Sequence, residues 1–478
     1  MSNSDSTLSS YDRVPYESYP FAHLHPARLA ATAQLRGYTP PPVAQARVLD
    51  IGCGSGGHVI ALAAFYPQMQ LIGVDLAVGQ IARGNERIAA MGLANVSLHA
   101  GDLGAGLSPS ALQAAQAFGG QFDYILCQGV YYVVPDSVRD AIWRLIDTHL
   151  SPSGIAHISF NTYPGWKQRE VAQDFAQFYA AGVQGEGAQK EQGVREALAH
   201  IAAIAPQHQE GLCAGYGLNL KAESAAAAKA LPGLLFHEFI SGENRPLYFQ
   251  QMVSRAQEAG FAYLCEAGLP DAWPGRLGAH LPALLQMAGG DALRLEQIAD
   301  FAIARTYRNS LWIRAAASAA LPHALAAWPV ERLRGLQIAA DLSRVDSLAE
   351  SKRGYATASG VSFTLDVAQS PLFDALLRSE QSPLWIAADE LLAEHPQSAE
   401  LLLECVLRSL LQAWREPPAI ASNLPDWLRR DAERADCRYL PSVWLQPVGL
   451  SAELREQLVG NGLSSTQHQT LRRLGWVA

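Results

Sequence analysis

Between residues 47 and 161 short apolar runs alternate with stretches of helical period. RVLDIGC precedes a helix from about residue 57, QLIGVD a helix over 78 to 91, and NVSLHAGD a looser stretch. FDYILCQG is followed by SVRDAIWRLIDTHL, and IAHISFN closes the series. Apolar strands alternating with 3.6-residue periods imply βαβ units, and so a parallel, doubly wound sheet whose ligand sits beyond the strands' carboxyl ends. Residues 167 to 235 are rich in alanine and glutamine and predict helices inserted after the fifth strand, with AESAAAAKAL as scaffold. PLYFQQMVSRAQEAG then predicts a helix, and FAYLCEA a strand that completes the sheet.

From 270 to 345 the pattern reads as helical, most clearly in EQIADFAIARTYRNSLWIRAAASAAL. Within it Arg305, Tyr307 and Arg308 form a cationic, aromatic face, read as a solvated face or a domain contact. KRGYATASGVSFTLD reads as a linker entering a hairpin. SPLWIAADELLAEHP, AELLLECVLRSLLQAWRE and the ending LSSTQHQTLRRLGWVA pattern as amphipathic helices of a winged-helix-like interaction module. The expected fold is α/β: a Rossmann-like, doubly wound, mostly parallel sheet, then a helical domain and a smaller α/β or α+β C-terminal domain. The expected limits are an arm or lid over 1–45, a sheet domain over 46–270, a helical domain over 271–345 and an interaction domain over 346–478.

Composition narrows the function. The 478 residues are 49% hydrophobic and 17% charged, enough for several cores. No apolar run approaches the roughly 18 residues of a membrane span. MSNSDSTLSS lacks a basic flank and an apolar centre, so no secretory signal is read and the cytoplasm is inferred. Cysteines 53, 127, 213, 265, 405 and 437 form no CxxC pair, which fits reduced thiols. A net charge of −9 and a pI of about 5.8 argue against nonspecific nucleic-acid binding but allow a basic protein substrate. His23 and His25 lack a third ligand, so no metal site is expected.

The chemistry centres on VLDIGCGSGG. Gly52, Gly54 and Gly56 allow a sharp turn close to a ligand, and the helix that follows presents free N–H groups. Gly52, Gly54 and Gly57 also fit GxGxxG, the dinucleotide pattern. Asp50 decides between them. A carboxylate two residues before the loop repels a pyrophosphate but suits an ammonium group, such as that of S-adenosylmethionine. Asp75 ends the second strand, where it can accept both ribose hydroxyls. Asp102 and Leu103 end the third, for an adenine amino group and ring face. Gln128 and Gly129 end the fourth, beside the sulfonium methyl. Cys53, Leu76 and Gln80 complete the cofactor set, and Tyr16 of the arm covers it. Tyr131, Tyr132, Tyr163 and Trp166 are candidate walls of an acceptor channel, with Tyr131 and Tyr163 as positioning groups and Asn161 and His237 also at the substrate. His237 and Glu238 are read either as lining the pocket or, the commoner role of such a pair, as a structural strand-end pair, and no general base is assigned.

VLDIGCGSGG, GVD, AGD and FDYI resemble the motifs of seven-strand, class I S-adenosylmethionine-dependent methyltransferases over residues 45 to 165. YDRVPYESYPF, QGVYYVVPDSVRD, SFNTYPGW and HEFISGENRPLYFQQMVSRAQEAGFAYLCEA resemble, more narrowly, those with a methyltransferase regulatory domain. That group includes protein lysine methyltransferases acting on bacterial outer-membrane proteins. The resemblance implies S-adenosylmethionine as donor, S-adenosylhomocysteine as product and a protein lysine as acceptor. Two alternatives stand beside it, a small-molecule O- or N-methyltransferase and a non-catalytic cofactor-binding scaffold. The oligomeric state is left open.

Overall fold

The computed structural model describes residues 18–183, 188–204, 214–229, 235–240, 244–322, 328–339, 342–346, 350–357, 361–377, 385–419, 425–434, 439–442 and 447–449, with positions 451, 454, 458, 459, 471, 474 and 476. β1 (Arg47–Ile51), β2 (Gln70–Asp75), β3 (Val96–Ala100), β4 (Phe122–Cys127) and β5 (Leu150–Tyr163) lie parallel in the order β3-β2-β1-β4-β5. β6 (Leu247–Tyr248) adds to the far end of β5, and β7 (Phe261–Glu266) forms an edge. Between β5 and β7 runs β8 (Tyr307–Arg314), antiparallel to both. The parallel strands read as continuous apolar runs because helices cover both their faces. The Gly57–Phe65 and Val78–Met91 helices follow β1 and β2 as expected.

The helical reading of 270–345 fails at TYRNSLWIR. The Ala292–Ile303 helix stops at Ala304, whose φ of 49° is left-handed, and the next residues form β8. Leu311, Trp312 and Ile313 are buried on successive positions, so the second half of the strand shows no alternation, and the alanines around it carry a helical period across the gap. A domain limit at 270 would therefore separate β8 from the sheet it helps to build.

Arg308, read as part of a solvated face or domain contact, is fully buried within the sheet layer. It donates to Glu266 at 2.6 Å, to Asp300 at 2.8 and 2.9 Å and to Glu296 at 3.2 Å, and stacks 4.0 Å above the Phe249 ring. Arg305 is buried beside it, ion-paired to Asp271 and Asp300. A buried guanidinium persists only with such partners. Sequence spacing showed the cations but not the acids, which come from β7 and the preceding helix.

Helices Trp166–Gly182, Ala188–Ile204 and Ala214–Lys229 form the insertion around a small core of Ala172, Ala176, Val194, Leu198 and Leu220. Beyond β8 lie β9 (Gln337–Ala339), β10 (Leu342–Val345), β11 (Lys352–Thr357), β12 (Ser362–Asp366), β13 (Trp385–Ala387) and β14 (Gln412–Trp414). β11 and β12 form the expected hairpin, with Tyr355 opposite Phe363. The two segments read as amphipathic helices are each part strand: β13 leads into Ala388–Glu394, and Ala399–Leu407 leads into β14. The segment LSSTQHQTLRRLGWVA lies almost wholly outside the described residues.

This C-terminal part is fastened to the sheet domain. Glu416 accepts from the Val43 and Ala44 amides at 2.8 and 2.9 Å, and the Arg415 amide donates to Ala27 at 3.0 Å. The Trp414 ring meets His25 edge-on at 4.5 Å. No helix among the described residues is long and apolar enough to cross a membrane.

Candidate cofactor and acceptor site

β1 is central, with Asp50 opposite Gly73 of β2 and Leu126 of β4. Buried neighbours on both sides leave Asp50 only 6% exposed, and among the described residues no donor reaches its carboxylate. Burial, and then the Asp75 charge, push its pKa up to about 8. The chain turns out of β1 through Gly52, Gly54 and Gly56, at φ of 76°, 56° and 78°. Two positions of this stretch are crowded. A Cβ at Gly52 would lie 2.1 Å from the Val130 side chain, and one at Gly57 would lie 2.4 Å from the Ser18 backbone. A Cβ at Gly54 would meet only side chains, the nearest being Gln80 Oε1 at 3.2 Å. That Gln80 oxygen is buried with no hydrogen-bond partner.

Asp75 is half-buried and accepts from the Gly54 and Ala77 amides, both at 2.8 Å, so it braces the glycine loop from the end of β2. Leu76 is half-buried next to it. Cys53 places its side chain in the core against β2, where a Cβ at Gly73 would lie 2.7 Å from its sulfur. Burial raises its thiol pKa, so Cys53 offers a ligand its backbone rather than a thiolate. Asp102 is exposed and caps a short 3-10 turn, accepting from the Gly104 amide at 2.8 Å, while Leu103 is half-buried. The Gln128 amide donates to the Tyr307 hydroxyl at 3.3 Å. The Gly129 amide donates to Ser159 Oγ at 2.8 Å, and a Cβ on Gly129 would have nothing within 4 Å. The end of β4 therefore faces open space.

Tyr16 lies outside the described residues. From Ser18 the arm runs across the glycine loop: Ser18 Oγ accepts from the Gly57 amide at 2.8 Å and donates to the Cys53 carbonyl at 3.3 Å. The Phe21 amide donates to His58 Nδ1 at 3.2 Å. His25 caps the Pro26–Arg36 helix, accepting from the Ala27 amide at 3.1 Å.

The aromatic candidates divide. Tyr131 is a core residue and not a channel wall: it is fully buried and its hydroxyl accepts from Trp143 Nε1 at 3.0 Å. Trp166 is likewise closed in, 2% exposed beneath the Arg169 guanidinium at 4.6 Å. In both cases the residues after the strand turn back into the protein. Tyr163 is half-buried, donates to Glu170 at 2.5 Å and packs on Tyr248 at 5.2 Å. It is the last residue of β5, which runs longer than its apolar pattern suggests. Asn161 is buried and donates to Asn244 at 3.0 Å. Tyr132 turns toward the insertion, and its hydroxyl donates to Glu238 Oε1 at 3.2 Å. His237 is buried in the same π-helical turn, Phe236–Ile240, with its ring against Phe236 at 5.1 Å. Ser18 and Ser159, which the sequence does not single out, stand at the glycine loop and the end of β4, while the sequence pattern reads Tyr307 only as part of a cationic, aromatic face and Glu238, with His237, as pocket lining or a structural pair. Tyr307 was hidden by the helical reading of β8, and Ser18 lies in an arm without periodicity.

Residues 43–182 match the family model described as a methyltransferase domain, and residues 232–314 that described as a predicted methyltransferase regulatory domain. RP028, an uncharacterized protein of Rickettsia prowazekii (strain Madrid E), is 33% identical over 255 residues, 53% of this chain and 96% of its own length. RP789 of the same organism is 32% identical over 304 residues, 63% of this chain; the match spans about half of that protein, 52%. The structure of PKMT2 from Rickettsia typhi in complex with AdoHcy shares the fold, with a TM-score of 0.74 at 22% identity over 91% of this chain and 86% of that one.

A doubly wound sheet ending in an inserted antiparallel strand, with a glycine loop and acids at adjacent strand ends, defines the Rossmann-like methyltransferase class. This chain belongs to the methyltransferases that carry a methyltransferase regulatory domain. Its regulatory segment supplies β6, β7 and β8, and so completes the central sheet rather than standing apart from it.

Proposed function

We propose that this protein transfers a methyl group from S-adenosylmethionine to a lysine side chain of a protein acceptor. The observation that carries the donor assignment is Asp50, a buried carboxyl without a hydrogen-bond donor at the end of the central strand. Such a group is costly unless a cation joins it. The orphaned Gln80 oxygen and the open space at Gly129 fit a bound ligand as well. S-adenosylmethionine supplies an ammonium for Asp50 and an electrophilic methyl on sulfur. Asp75 would hold the ribose hydroxyls, Asp102 and Leu103 the adenine, and the Gly52–Gly54 backbone the amino-acid end. The arm from Ser18 crosses the glycine loop, and the sheet would hold acceptor and donor in line. The lysine acceptor is supported by the resemblance to protein lysine methyltransferases and by the net charge of −9, which favours a basic substrate.

Calorimetric titration with S-adenosylmethionine and S-adenosylhomocysteine tests the donor. Mass spectrometry of a purified outer-membrane β-barrel protein after incubation with this protein and S-adenosylmethionine tests the acceptor. Both cofactors should bind, and methyl groups should map to lysines. Absent cofactor binding in a folded sample would overturn the donor assignment, and methylation confined to a small metabolite would overturn the acceptor.

A further inference from the structure

Beyond the end of β4 stands a group of side chains that cofactor binding leaves unused. The Tyr132 and Tyr307 rings meet edge to face, 6.0 Å apart and 84° between planes. Tyr307 is fixed through its hydroxyl by Gln128, and Tyr132 through its hydroxyl by Glu238. The two rings and the carboxylate thus adjoin Gln128 and Gly129, at the strand end that faces open space.

Glu238 is half-buried in the π-helical turn, and its backbone carbonyl accepts from Gln173 Nε2 at 2.9 Å. Turns of this kind recur at functional sites. Arg169, whose charge acts on Glu238, is already committed: it donates to Glu223 at 2.9 Å and lies over the Trp166 and Phe239 rings. Among the described residues no cationic side chain hydrogen-bonds Glu238. Burial raises its carboxyl pKa, and Arg169 and the Tyr132 hydroxyl only partly oppose that. A half-buried carboxylate held at the hydroxyl of one of two packed aromatic rings, with no cation hydrogen-bonded to it among the described residues, is a receptor for an ammonium.

We propose that Glu238, Tyr132 and Tyr307 form the receptor for the acceptor's primary ammonium group. This rests on the methyltransferase reading above and names its acceptor subsite. Glu238 binds the lysine ammonium as an ion pair beside the rings and then takes one of its protons. The N–H bond breaks with its electron pair left on nitrogen, and the proton goes to a Glu238 oxygen. A neutral amine and a carboxylic acid result, and the carboxyl later returns its proton to water. Burial favours that transfer because both charges are lost together.

The test uses the full chain with S-adenosylhomocysteine bound. Saturation-transfer NMR follows Nα-acetyl-lysine amide and its neutral analogue Nα-acetyl-norleucine amide, while calorimetry follows S-adenosylhomocysteine. Wild-type protein should bind the lysine compound and not the norleucine one. Glu238→Gln should weaken lysine binding at least tenfold and leave cofactor affinity within about twofold, and Glu238→Asp should restore part of the loss. In turnover, Glu238→Gln should raise KM and lower kcat, whereas Tyr132→Phe, which keeps the carboxylate, should mainly raise KM. Undiminished lysine binding and turnover in Glu238→Gln, with the cofactor still bound, would overturn the receptor alone. Failure of the wild-type protein to bind S-adenosylhomocysteine would overturn the methyltransferase reading and the receptor with it.

Discussion

At the scale of single residues, Asp50 carries a conflict between stability and binding. Its pKa is raised from an ordinary 3.8 to about 8, so near neutral pH the free protein holds a proton that the unfolded chain would release. The native state binds the extra proton, so stability falls as pH rises from near 4 through 8. Asp50→Asn should remove that fall: its melting temperature, relative to wild type, should climb across this window without ligand. A ligand ammonium lowers the pKa of Asp50, so binding at pH 7 should release a proton, seen as a buffer-dependent enthalpy in wild type and absent in Asp50→Asn. A buffer-independent enthalpy in wild type would remove Asp50 from the ammonium site. Asp75 differs because its oxygens already hold two loop amides. Asp75→Ala should weaken S-adenosylmethionine by about 1–3 kcal/mol, the usual loss for a hydrogen bond to a charged group. Unchanged affinity would dismiss the ribose assignment.

Among the elements, the glycine loop and the arm form one unit, and two glycines separate its tasks. Gly57→Ala places a methyl group 2.4 Å from the Ser18 carbonyl and 2.6 Å from the Tyr19 amide, so the arm must leave the loop. Limited proteolysis should then cut before residue 26 faster than in wild type, and an unchanged rate would show that the arm is held elsewhere. Gly129→Ala meets no neighbour, although its φ of 73° costs an alanine about 1–2 kcal/mol. Its arm should stay protected while cofactor affinity falls, because the new methyl enters the ligand's space. A cofactor affinity equal to wild type would place the ligand away from the end of β4.

For the whole molecule, the question is whether residues 346–478 are separable. Arg87, on the helix after β2, pairs with Asp431 through both nitrogens, the Nε contact being 3.0 Å, and Asp431 is fully buried. Removing one partner of a buried pair strands the other charge, at about 3–5 kcal/mol. Arg87→Ala should therefore lower the urea midpoint of the entire chain by an amount of that order. A separate early transition with an unshifted main one would show two independently folding parts. The contacts of Glu416 and Arg415 with the sheet domain predict a single transition.

The parallel half of the sheet and the glycine loop with its strand-end acids were legible in the sequence because both follow from local rules. A strand covered on both faces is an apolar run, a loop at positive φ requires glycine, and an acid two residues before it stands at a fixed place in the turn. Asp50, Asp75 and Gly129 could thus be placed by counting along the chain. What depended on partners distant in sequence could not be counted. β8 is a strand because β5 and β7 flank it, and Arg308 is buried because Glu266, Glu296 and Asp300 neutralise it there. Tyr131 and Tyr132 are adjacent and chemically alike, yet one joins Trp143 in the core and the other meets Glu238 across more than a hundred residues of chain. Which side chain reaches the cleft is set by the neighbours that fill the space around it, and only the tertiary structure supplies those.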